Sequence, residues 1–323
     1  MNAIFNKKKV ALVGTGMVGM SYAYSILNSP GVCDELILID IDKTRAEGEA
    51  MDLNHSLAFL NSSLKIHTGS YADCKDASLV TICAGVPRKP GDSRLDLLNK
   101  NIEIFKSIIT PIIESGFSGC FLIASNPVDV MAYVTKKLSG FSSNRVIGSG
   151  TALDTARLRF LLGKSFKVNP ISVHAHVFGE HGDSGFVPWS QAHIGSKSII
   201  KMCDEEEKYS NVNLEQIANE VKTVAADVIK AKKATYYSIG VVLKRITHAI
   251  LHDENCILDL SVMPDGEYEQ RGLYIGLPAI VGAEGVSKIL QLNLTEEENK
   301  KLANSCDVIG KLCQYCVMFK IFE

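Results

Sequence analysis

The sequence predicts an α/β protein in which a doubly wound parallel sheet is followed by a mixed α+β domain. Over the first half, short apolar runs alternate with helical patterns, which is the order that a parallel sheet requires. The first of these runs ends in a glycine-rich turn. Near Gly148 the alternation stops, and long helices and an antiparallel pair of strands follow. We therefore predict two domains, over residues 1–148 and 149–323.

The strands of the parallel sheet are predicted from the apolar runs of the first half, at residues 9–13, 35–39, 64–68, 79–84, 120–124 and 146–148. Helices are predicted from the glycine-rich turn to about residue 28, and over residues 46–60, 95–115 and 130–138. Pro111 is expected to bend or interrupt the third of these helices, because proline removes one helical hydrogen bond.

The second half mixes helices with strands that are not joined by crossover helices. Residues 151–160 are predicted to be helical and residues 173–178 to form a strand. Two long helices are predicted over residues 214–232 and from there to about residue 251. Residues 257–263 and 272–277 are expected to pair antiparallel around a turn at 264–266, and Thr295 is expected to cap a final helix.

Length and composition indicate a globular protein without a nucleic-acid partner. The 323 residues are enough for about two domains, and 46% hydrophobic with 22% charged residues is ordinary for such a protein. The net charge of −2 gives no electrostatic footprint for nucleic acid. The nine cysteines favour reduced thiols and a cytoplasmic location. Because the first apolar run is only a strand long, we expect neither a signal peptide nor a membrane span.

Residues 14–19, Gly-Thr-Gly-Met-Val-Gly, form a G-x-G-x-x-G motif between a predicted strand and a predicted helix. In this motif the first glycine makes the tight turn and the second lets a pyrophosphate approach the backbone. The third lets the helix pack closely on the strand. Asp40 ends the second strand, roughly 20 residues further on, where an acid accepts hydrogen bonds from ribose hydroxyls and repels a 2′-phosphate. The motif predicts a dinucleotide-binding Rossmann domain that prefers NAD over NADP.

The segment from Gly85 to Arg94 contains two prolines, two glycines and three cations, so it is predicted to be a loop. It follows a strand of the nucleotide-binding sheet, at whose carboxyl edge ligands bind. Glycines at both ends allow a hinged lid, and its positive charge suggests an anionic substrate. Asn126 follows the next strand and can present its amide to a ligand oxygen at the same edge.

The candidate proton-transferring residue is His181, which lies between Gly179 and Gly182 after the predicted strand. A histidine suits this role because its ordinary pKa lies near neutrality. Asp154 and Arg157 stand three residues apart on one face of a predicted helix. Taken by themselves, these two residues favour a surface ion pair.

The chain resembles the L-lactate/malate dehydrogenase family from end to end, and bacterial-type L-lactate dehydrogenases most closely. The resemblance rests on residues 14–19, 84–94, 125–129, 148–157 and 179–183, which match in order and spacing. It implies a substrate that is a small 2-oxo or 2-hydroxy acid, with NAD as the cofactor. The residues that it assigns to cofactor binding are Gly14, Gly16, Met17, Val18, Gly19, Asp40, Ala84, Gly85 and Asn126.

The resemblance also implies roles for the polar residues of the site. His181 would protonate the keto oxygen as the hydride arrives, and Asp154 would hold the other ring nitrogen. Arg157 would bind the substrate carboxylate through two hydrogen bonds. Arg94, carried by the lid, would polarise the carbonyl, and Asn126 would help to orient it. The peptide bond from Asn126 to the following proline is expected to be cis.

Substrate choice remains open between lactate and malate. Arg88 occupies the lid position at which malate dehydrogenases carry arginine and most lactate dehydrogenases of this type carry glutamine. Residues 186–190, residues 95–97 and Thr235 instead resemble the lactate enzymes, and Thr235 is expected to line the substrate pocket. We predict an L-lactate dehydrogenase, with malate dehydrogenase as the alternative.

Two further positions suggest regulation. Arg159 and His174 match positions that bind fructose 1,6-bisphosphate between subunits of bacterial-type lactate dehydrogenases. Arg159 lies two residues after Arg157, so it points away from the substrate clamp. Either residue could also be an ordinary surface residue. The resemblance implies a homotetramer that responds to this effector.

Overall fold

The computed structural model describes residues 8–86 and 94–318, and for Arg94 the backbone alone. The strands in this part are β1 Lys9–Val13, β2 Glu35–Ile39, β3 Lys65–Thr68, β4 Leu79–Ile82, β5 Cys120–Ile123, β6 Val146–Gly148, β7 Val173–His174, β8 His193–Ile194, β9 Lys197–Ser198, β10 Cys256–Val262, β11 Ile275–Gly282 and β12 Gly285–Ile289. The α-helices are α1 Met17–Leu27, α2 Lys43–Ser56, α3 Arg94–Glu114, α4 Val128–Ser139, α5 Ala152–Phe166, α6 Ile199–Glu205, α7 Leu214–Lys232, α8 Tyr237–Leu251 and α9 Glu296–Met318.

The predicted parallel sheet is confirmed. In the described residues, β1 to β6 are all parallel and lie in the order β3-β2-β1-β4-β5-β6. The order reverses between β1 and β4, so the loops after these strands part and leave a crevice at the carboxyl edge. Every residue of β1, β2, β4 and β5 is buried, which explains why their apolar runs are continuous.

The sheet continues beyond β6 through antiparallel strands. The predicted antiparallel pairing of β10 with β11 is confirmed, but β11 begins three residues later than predicted and runs to Gly282, and β12 was not predicted. β10 pairs with β6 at one position, Ser261 opposite Gly148, and β11 and β12 extend the sheet outward. A side chain at Gly148 would place its Cβ 2.6 Å from the Cβ of Ser261. The glycine therefore lets strands from the two halves of the chain approach closely.

The prediction of one strand over residues 173–178 is wrong beyond His174. Val173 and His174 pair with β8, and Phe178 forms an isolated antiparallel bridge with Phe186, but the residues between them pair with no strand. The backbone of Val177 is held instead by two hydroxyls of the α5 region: its carbonyl accepts from Thr151 Oγ1 at 2.6 Å, and its N–H donates to Thr155 Oγ1 at 2.9 Å. Since these side chains satisfy the buried backbone groups, the segment needs no neighbouring strand.

Two helices also differ from their predictions. α3 runs from Arg94 to Glu114 and includes Pro111 without interruption. The backbone N–H that a residue other than proline would donate is lost there, but the helix is held by a packed apolar face that includes Phe105, Ile109 and Ile112. α5 continues six residues past its predicted end, to Phe166, which is buried. The final helix α9 begins as predicted, with Thr295 and Glu298 exchanging hydrogen bonds at 3.2 and 2.9 Å.

Buried apolar side chains form two clusters, and the candidate site lies between them. The larger cluster is built around the large sheet, which has nine strands in the part of the chain that the structure describes. The smaller one joins α5, α6 and α7 to the segment that leads to His181, through residues such as Leu158, Val177 and Val221. Burial of each such side chain contributes about 1.5–3 kcal/mol. Within the described ranges, no helix is long and apolar enough to cross a membrane.

Candidate active site

The glycine-rich turn after β1 has the geometry of a dinucleotide cradle. Gly14 has a φ of +98°, and a Cβ there would lie 2.5 Å from the backbone nitrogen of Ala84. A Cβ on Gly19 would lie 2.0 Å from the carbonyl oxygen of Gly14, so only glycine lets α1 pack this closely. A Cβ on Gly16 would meet nothing within 4 Å, which leaves open space at the N-terminus of α1. This space is where a pyrophosphate would meet backbone N–H groups.

Asp40 stands at the end of β2 beside this turn. Its carboxylate accepts hydrogen bonds from the backbone N–H of Thr15 at 2.6 Å and from the Thr15 hydroxyl at 2.9 Å, and a third from the N–H of Asp42 at 3.0 Å. Burial raises the pKa of Asp40, but these hydrogen bonds lower it more, and the carboxyl is ionised at neutral pH. A fixed negative charge at this position disfavours a second one, such as a 2′-phosphate.

The loops after β4 and β5 are tied together by Asn101, which the sequence did not single out. The Asn101 side chain is buried; its Oδ1 accepts from the N–H of Val86 at 2.9 Å, and its Nδ2 donates to the carbonyl of Asn126 at 2.8 Å. Ser125 also donates to the carbonyl of Ala84 at 2.5 Å. The predicted cis bond between Asn126 and Pro127 is confirmed. Asn101 therefore links the stem of the lid to the turn that carries Asn126.

His181, Asp154 and Arg157 lie together, as the sequence predicted. Asp154 accepts from His181 Nδ1 at 2.6 Å through Oδ2 and from Arg157 at 2.9 Å through Oδ1. The side chains are 26%, 13% and 15% exposed, respectively, so the ion pair of Asp154 and Arg157 is not a solvated surface pair. With Nδ1 engaged, Nε2 is the ring nitrogen left to exchange a proton with a ligand.

The charges in this group favour a protonated imidazole. Burial lowers the pKa of His181, but the carboxylates of Asp154 and Asp129 outweigh it, so this pKa lies above the ordinary value for histidine. Burial raises the pKa of Asp154, but His181 and Arg157 lower this pKa by more than burial raises it. The carboxyl therefore stays ionised. A proton is thus available on the ring near neutral pH.

The backbone of the His181 loop is fixed by three consecutive N–H groups, each bound to a different element. The N–H of Gly179 donates to the carbonyl of Gly276 in β11 at 3.0 Å. The N–H of Glu180 donates to Ser305 Oγ in α9 at 2.7 Å, and that of His181 donates to Asp129 Oδ2 in α4 at 3.0 Å. The sequence did not single out Ser305 or Asp129, although Asp129 stands in the segment that follows Asn126.

A cavity of about 170 Å³ opens beside His181. This volume is small compared with the roughly 300–1,000 Å³ of sites for larger ligands, which suits a small acid. Its lining residues are Asp154, Arg157, Val177, Glu180, His181, Gly182, Asp183, Gly185, Phe186, Val187, Ala218, Val221, Lys222 and Ala225.

Two of the described residues that were predicted to contact substrate are not among those lining residues. Asn126 lies on the turn after β5, and Thr235 lies in the segment between α7 and α8. Arg94 begins α3, but its side chain falls outside the description. Arg88 lies outside the described residues.

The two predicted effector residues lie outside the cavity beside His181. Arg159 donates to the backbone carbonyls of Pro170 at 3.2 Å and Ile171 at 3.0 Å, and His174 is exposed on β7. Neither contacts the cavity beside His181.

All nine cysteines are free thiols. Cys313 and Cys316, which are spaced as C-x-x-C inside α9, are buried, and burial raises their pKa to about 12 and about 11. Such thiols stay protonated and unreactive near neutral pH. Over residues 8–86 and 94–318, no group of histidine, cysteine or acidic residues is arranged to hold a metal ion.

A dinucleotide cradle at the edge of a parallel sheet, combined with a buried histidine–aspartate pair and an arginine in a small cavity, defines a nicotinamide-dependent oxidoreductase of small anionic substrates. Residues 8–148 match the family model described as lactate/malate dehydrogenase, NAD binding domain. Residues 151–315 match that of the lactate/malate dehydrogenase, alpha/beta C-terminal domain. The chain belongs to the lactate/malate dehydrogenase family, and the predicted preference for NAD agrees with the first match.

Individual relatives extend the similarity over nearly the whole chain. The L-lactate dehydrogenase 2 of Bacillus anthracis is 50% identical over 301 residues, which cover 93% of this chain and 96% of the relative. A crystal structure of a lactate dehydrogenase from a Medee basin deep-sea metagenome library has a TM-score of 0.92 at 51% identity and covers 94% of this chain and 97% of its own. The minor L-lactate dehydrogenase from Enterococcus mundtii, in its ligands-bound form, has a TM-score of 0.93 at 40% identity and covers 96% and 98%.

Proposed function

We propose that this protein is an NAD-dependent L-lactate dehydrogenase, which reduces pyruvate to L-lactate with NADH and catalyses the reverse reaction. The observation that carries the proposal is the group of His181, Asp154 and Arg157, joined by hydrogen bonds of 2.6 and 2.9 Å beside a small cavity. His181 supplies a proton donor and Arg157 a cation, and both line the cavity, so a single small molecule can contact both. The relatives named above as lactate dehydrogenases support the choice of substrate.

In the proposed reaction, the bound nicotinamide cofactor supplies or accepts the hydride. His181 gives the proton on Nε2 to the keto oxygen of pyruvate, and Asp154 stabilises the imidazolium from the side of Nδ1. Arg157 uses its remaining N–H groups to bind the substrate carboxylate, since one of its nitrogens is engaged with Asp154. Arg94 polarises the carbonyl and Asn126 orients it. In the reverse direction, neutral His181 takes the hydroxyl proton of lactate.

The proposed cofactor-binding residues are those around the turn after β1 and at the ends of β2, β4 and β5. The fit is supported by the open space at Gly16, by the close packing of Gly14 on Ala84 and by the ionised carboxyl of Asp40. The remaining members of the set are Met17, Val18, Gly19, Gly85 and Asn126.

Malate dehydrogenase is the second candidate, and Arg88 in the lid sequence favours it. An arginine there could pair with the second carboxylate of oxaloacetate, which pyruvate lacks. The test is NADH oxidation with pyruvate and oxaloacetate side by side, for the wild type and Arg88→Gln, with Lys89→Gln as the control for loss of a neighbouring lid cation.

The lactate proposal predicts a higher kcat/KM for pyruvate than for oxaloacetate in the wild type. Arg88→Gln should lower activity with oxaloacetate far more than activity with pyruvate, and Lys89→Gln should change the ratio little. A strong preference of the wild type for oxaloacetate would establish the malate alternative instead.

We further propose a cytoplasmic homotetramer that binds fructose 1,6-bisphosphate through Arg159 and His174, with domains divided at residue 148. His174 is exposed and Arg159 is half-buried, and neither residue lines the cavity beside His181, which supports a role for both outside the active site. Pyruvate kinetics and molar mass by light scattering, measured with and without the bisphosphate, test this proposal. The wild type and Lys164→Gln, an exposed cation on the same helix, should respond, and Arg159→Gln should not. An unresponsive wild type would exclude the effector site.

A further inference from the structure

Asp129 is a buried carboxyl that the proposed reaction leaves without a role. It lies in the first turn of α4 and is 2% exposed. Its Oδ2 accepts from the backbone N–H of His181 at 3.0 Å, across 52 residues of sequence. A buried carboxyl is costly unless it is hydrogen-bonded, and both oxygens of Asp129 accept hydrogen bonds.

The other oxygen of Asp129 is held by a residue of the sheet itself. Ser261 in β10 is fully buried and donates its hydroxyl to Asp129 Oδ1 at 2.6 Å. Ser261 reaches this position because Gly148 stands opposite it in β6, where a side chain would collide with it. The carboxyl therefore joins three elements, namely α4, β10 and the loop that carries His181.

We propose that Asp129 is a positioning residue for proton transfer, whose buried carboxylate, held by Ser261, fixes the backbone of His181 and places a second negative charge near the imidazole. This inference rests on the proposed function, since it assumes that His181 is the proton donor. Two carboxylates would then hold His181. Asp154 orients the imidazole ring, and Asp129 fixes the backbone of the same residue.

The carboxylate of Asp129, buried beside His181, should give the reaction a second pH dependence. Burial raises the pKa of Asp129 to about 6, although the hydrogen bonds from Ser261 and His181 oppose this rise, and the charge of Glu180 adds to it. The facing groups on α9 are Cys306 and Cys313, whose burial raises the pKa of each thiol to about 12, so that neither titrates in this range. Asp129 therefore loses its charge as the pH falls through about 6.

Pyruvate reduction should accordingly fall at both ends of the pH range. At high pH the proton on His181 is lost, and below about pH 6 the charge on Asp129 is lost. Below about pH 6 the His181 ring is protonated whether or not Asp129 is charged. The acidic fall therefore reports the titration of Asp129 and not that of His181.

The decisive variant is Asp129→Asn, which has nearly the same shape. Its amide can accept from the N–H of His181 and donate to Ser261, so the geometry is preserved while the charge is removed. We expect kcat/KM for pyruvate to be lowered, at every pH, to the level that the wild type reaches below about pH 6, so that the acidic fall is absent. The alkaline fall should move to lower pH, because one of the carboxylates that raise the pKa of His181 is gone. NADH affinity, measured by fluorescence titration, should stay within about twofold, which corresponds to a change of at most about 0.4 kcal/mol in the free energy of binding.

Three further variants separate charge from positioning. Asp129→Ala removes both hydrogen bonds and should lower kcat by about 10- to 100-fold, the range expected when a reacting group is displaced by up to about 1 Å. Ser261→Ala keeps the carboxyl but removes the hydrogen bond that lowers its pKa, so the acidic fall should move to higher pH. The matched control is Ser305→Ala, which frees the N–H of Glu180 in the same loop without changing any charge. It should lower kcat but leave both ends of the pH profile in place.

The inference is overturned if Asp129→Asn and Ser261→Ala keep the wild-type pH profile and lose only thermal stability, because Asp129 would then be purely structural. It is also overturned if Asp129→Ala turns over like the wild type. Wild-type activity decides the proposed function separately. If the wild type reduces oxaloacetate and not pyruvate, the same profiles are measured with oxaloacetate, because both keto acids need the same proton.

Discussion

Replacement of Asp154 by asparagine should impair proton transfer while leaving the shape of the site intact. The carboxylate accepts from His181 Nδ1 at 2.6 Å and from Arg157 at 2.9 Å, and its side chain is only 13% exposed. The hydrogen bond to the charged imidazolium is worth about 1.5–3 kcal/mol. At 1.36 kcal/mol for each factor of ten, its loss should lower kcat/KM for pyruvate by about 10- to 150-fold.

The same variant should move the pH profile in a defined direction. The Asp154 carboxylate holds the pKa of His181 above its ordinary value, so removal of the charge lowers that pKa. Pyruvate reduction uses the protonated ring, so activity is full below this pKa and is lost as the pH rises through it. In Asp154→Asn the alkaline fall should therefore begin at lower pH.

The assay is steady-state NADH oxidation across the pH range, with Asp227→Asn, an exposed carboxyl on α7, as the control. Retained NADH binding would show that Asp154→Asn keeps the nucleotide site. Activity within about twofold of the wild type, or an alkaline fall that does not move, would refute the assignment of Asp154 as the partner of His181.

Two other predictions concern the cofactor. Gly19→Ala should weaken NADH binding by at least about tenfold, because its Cβ would lie 2.0 Å from a backbone oxygen and must displace the turn. Gly48→Ala, where a Cβ meets nothing within 4 Å, should leave binding unchanged, and calorimetric titration of both variants compares them. Asp40→Asn should raise the affinity for NADPH relative to NADH, because the ionised carboxyl that repels a 2′-phosphate is removed. An unchanged ratio of the two affinities in fluorescence titrations would contradict this reading of Asp40.

The parts of the fold that the sequence predicted are those encoded by local patterns. Continuous apolar runs indicated the buried parallel strands, and the glycine spacing at residues 14–19 indicated the turn after β1. The strand predicted over residues 173–178 is interrupted because the backbone partners of Val177 are the hydroxyls of Thr151 and Thr155. Alternation along a segment does not reveal whether its hydrogen bonds go to a strand or to side chains.

The parts of the site that the sequence missed depend on contacts between distant residues. His181, Asp154 and Arg157 could be found because each stands in a short motif with a known chemical use. Ser305 binds the loop from 125 residues away, and Ser261 reaches Asp129 across 132 residues. A serine on a strand or helix carries no local signal of such a contact, because tertiary packing alone brings the partners together.

The most direct test of the account is the His181→Asn variant. Asparagine can occupy the space beside Asp154 but cannot deliver a proton near neutral pH. With NADH binding and the thermal unfolding curve preserved, pyruvate turnover should fall by about 10²- to 10⁴-fold, the usual contribution of a general acid. The control is His55→Asn, at an exposed histidine of α2, which should turn over normally. Turnover of His181→Asn close to that of the wild type would contradict the claim that His181 is the proton donor.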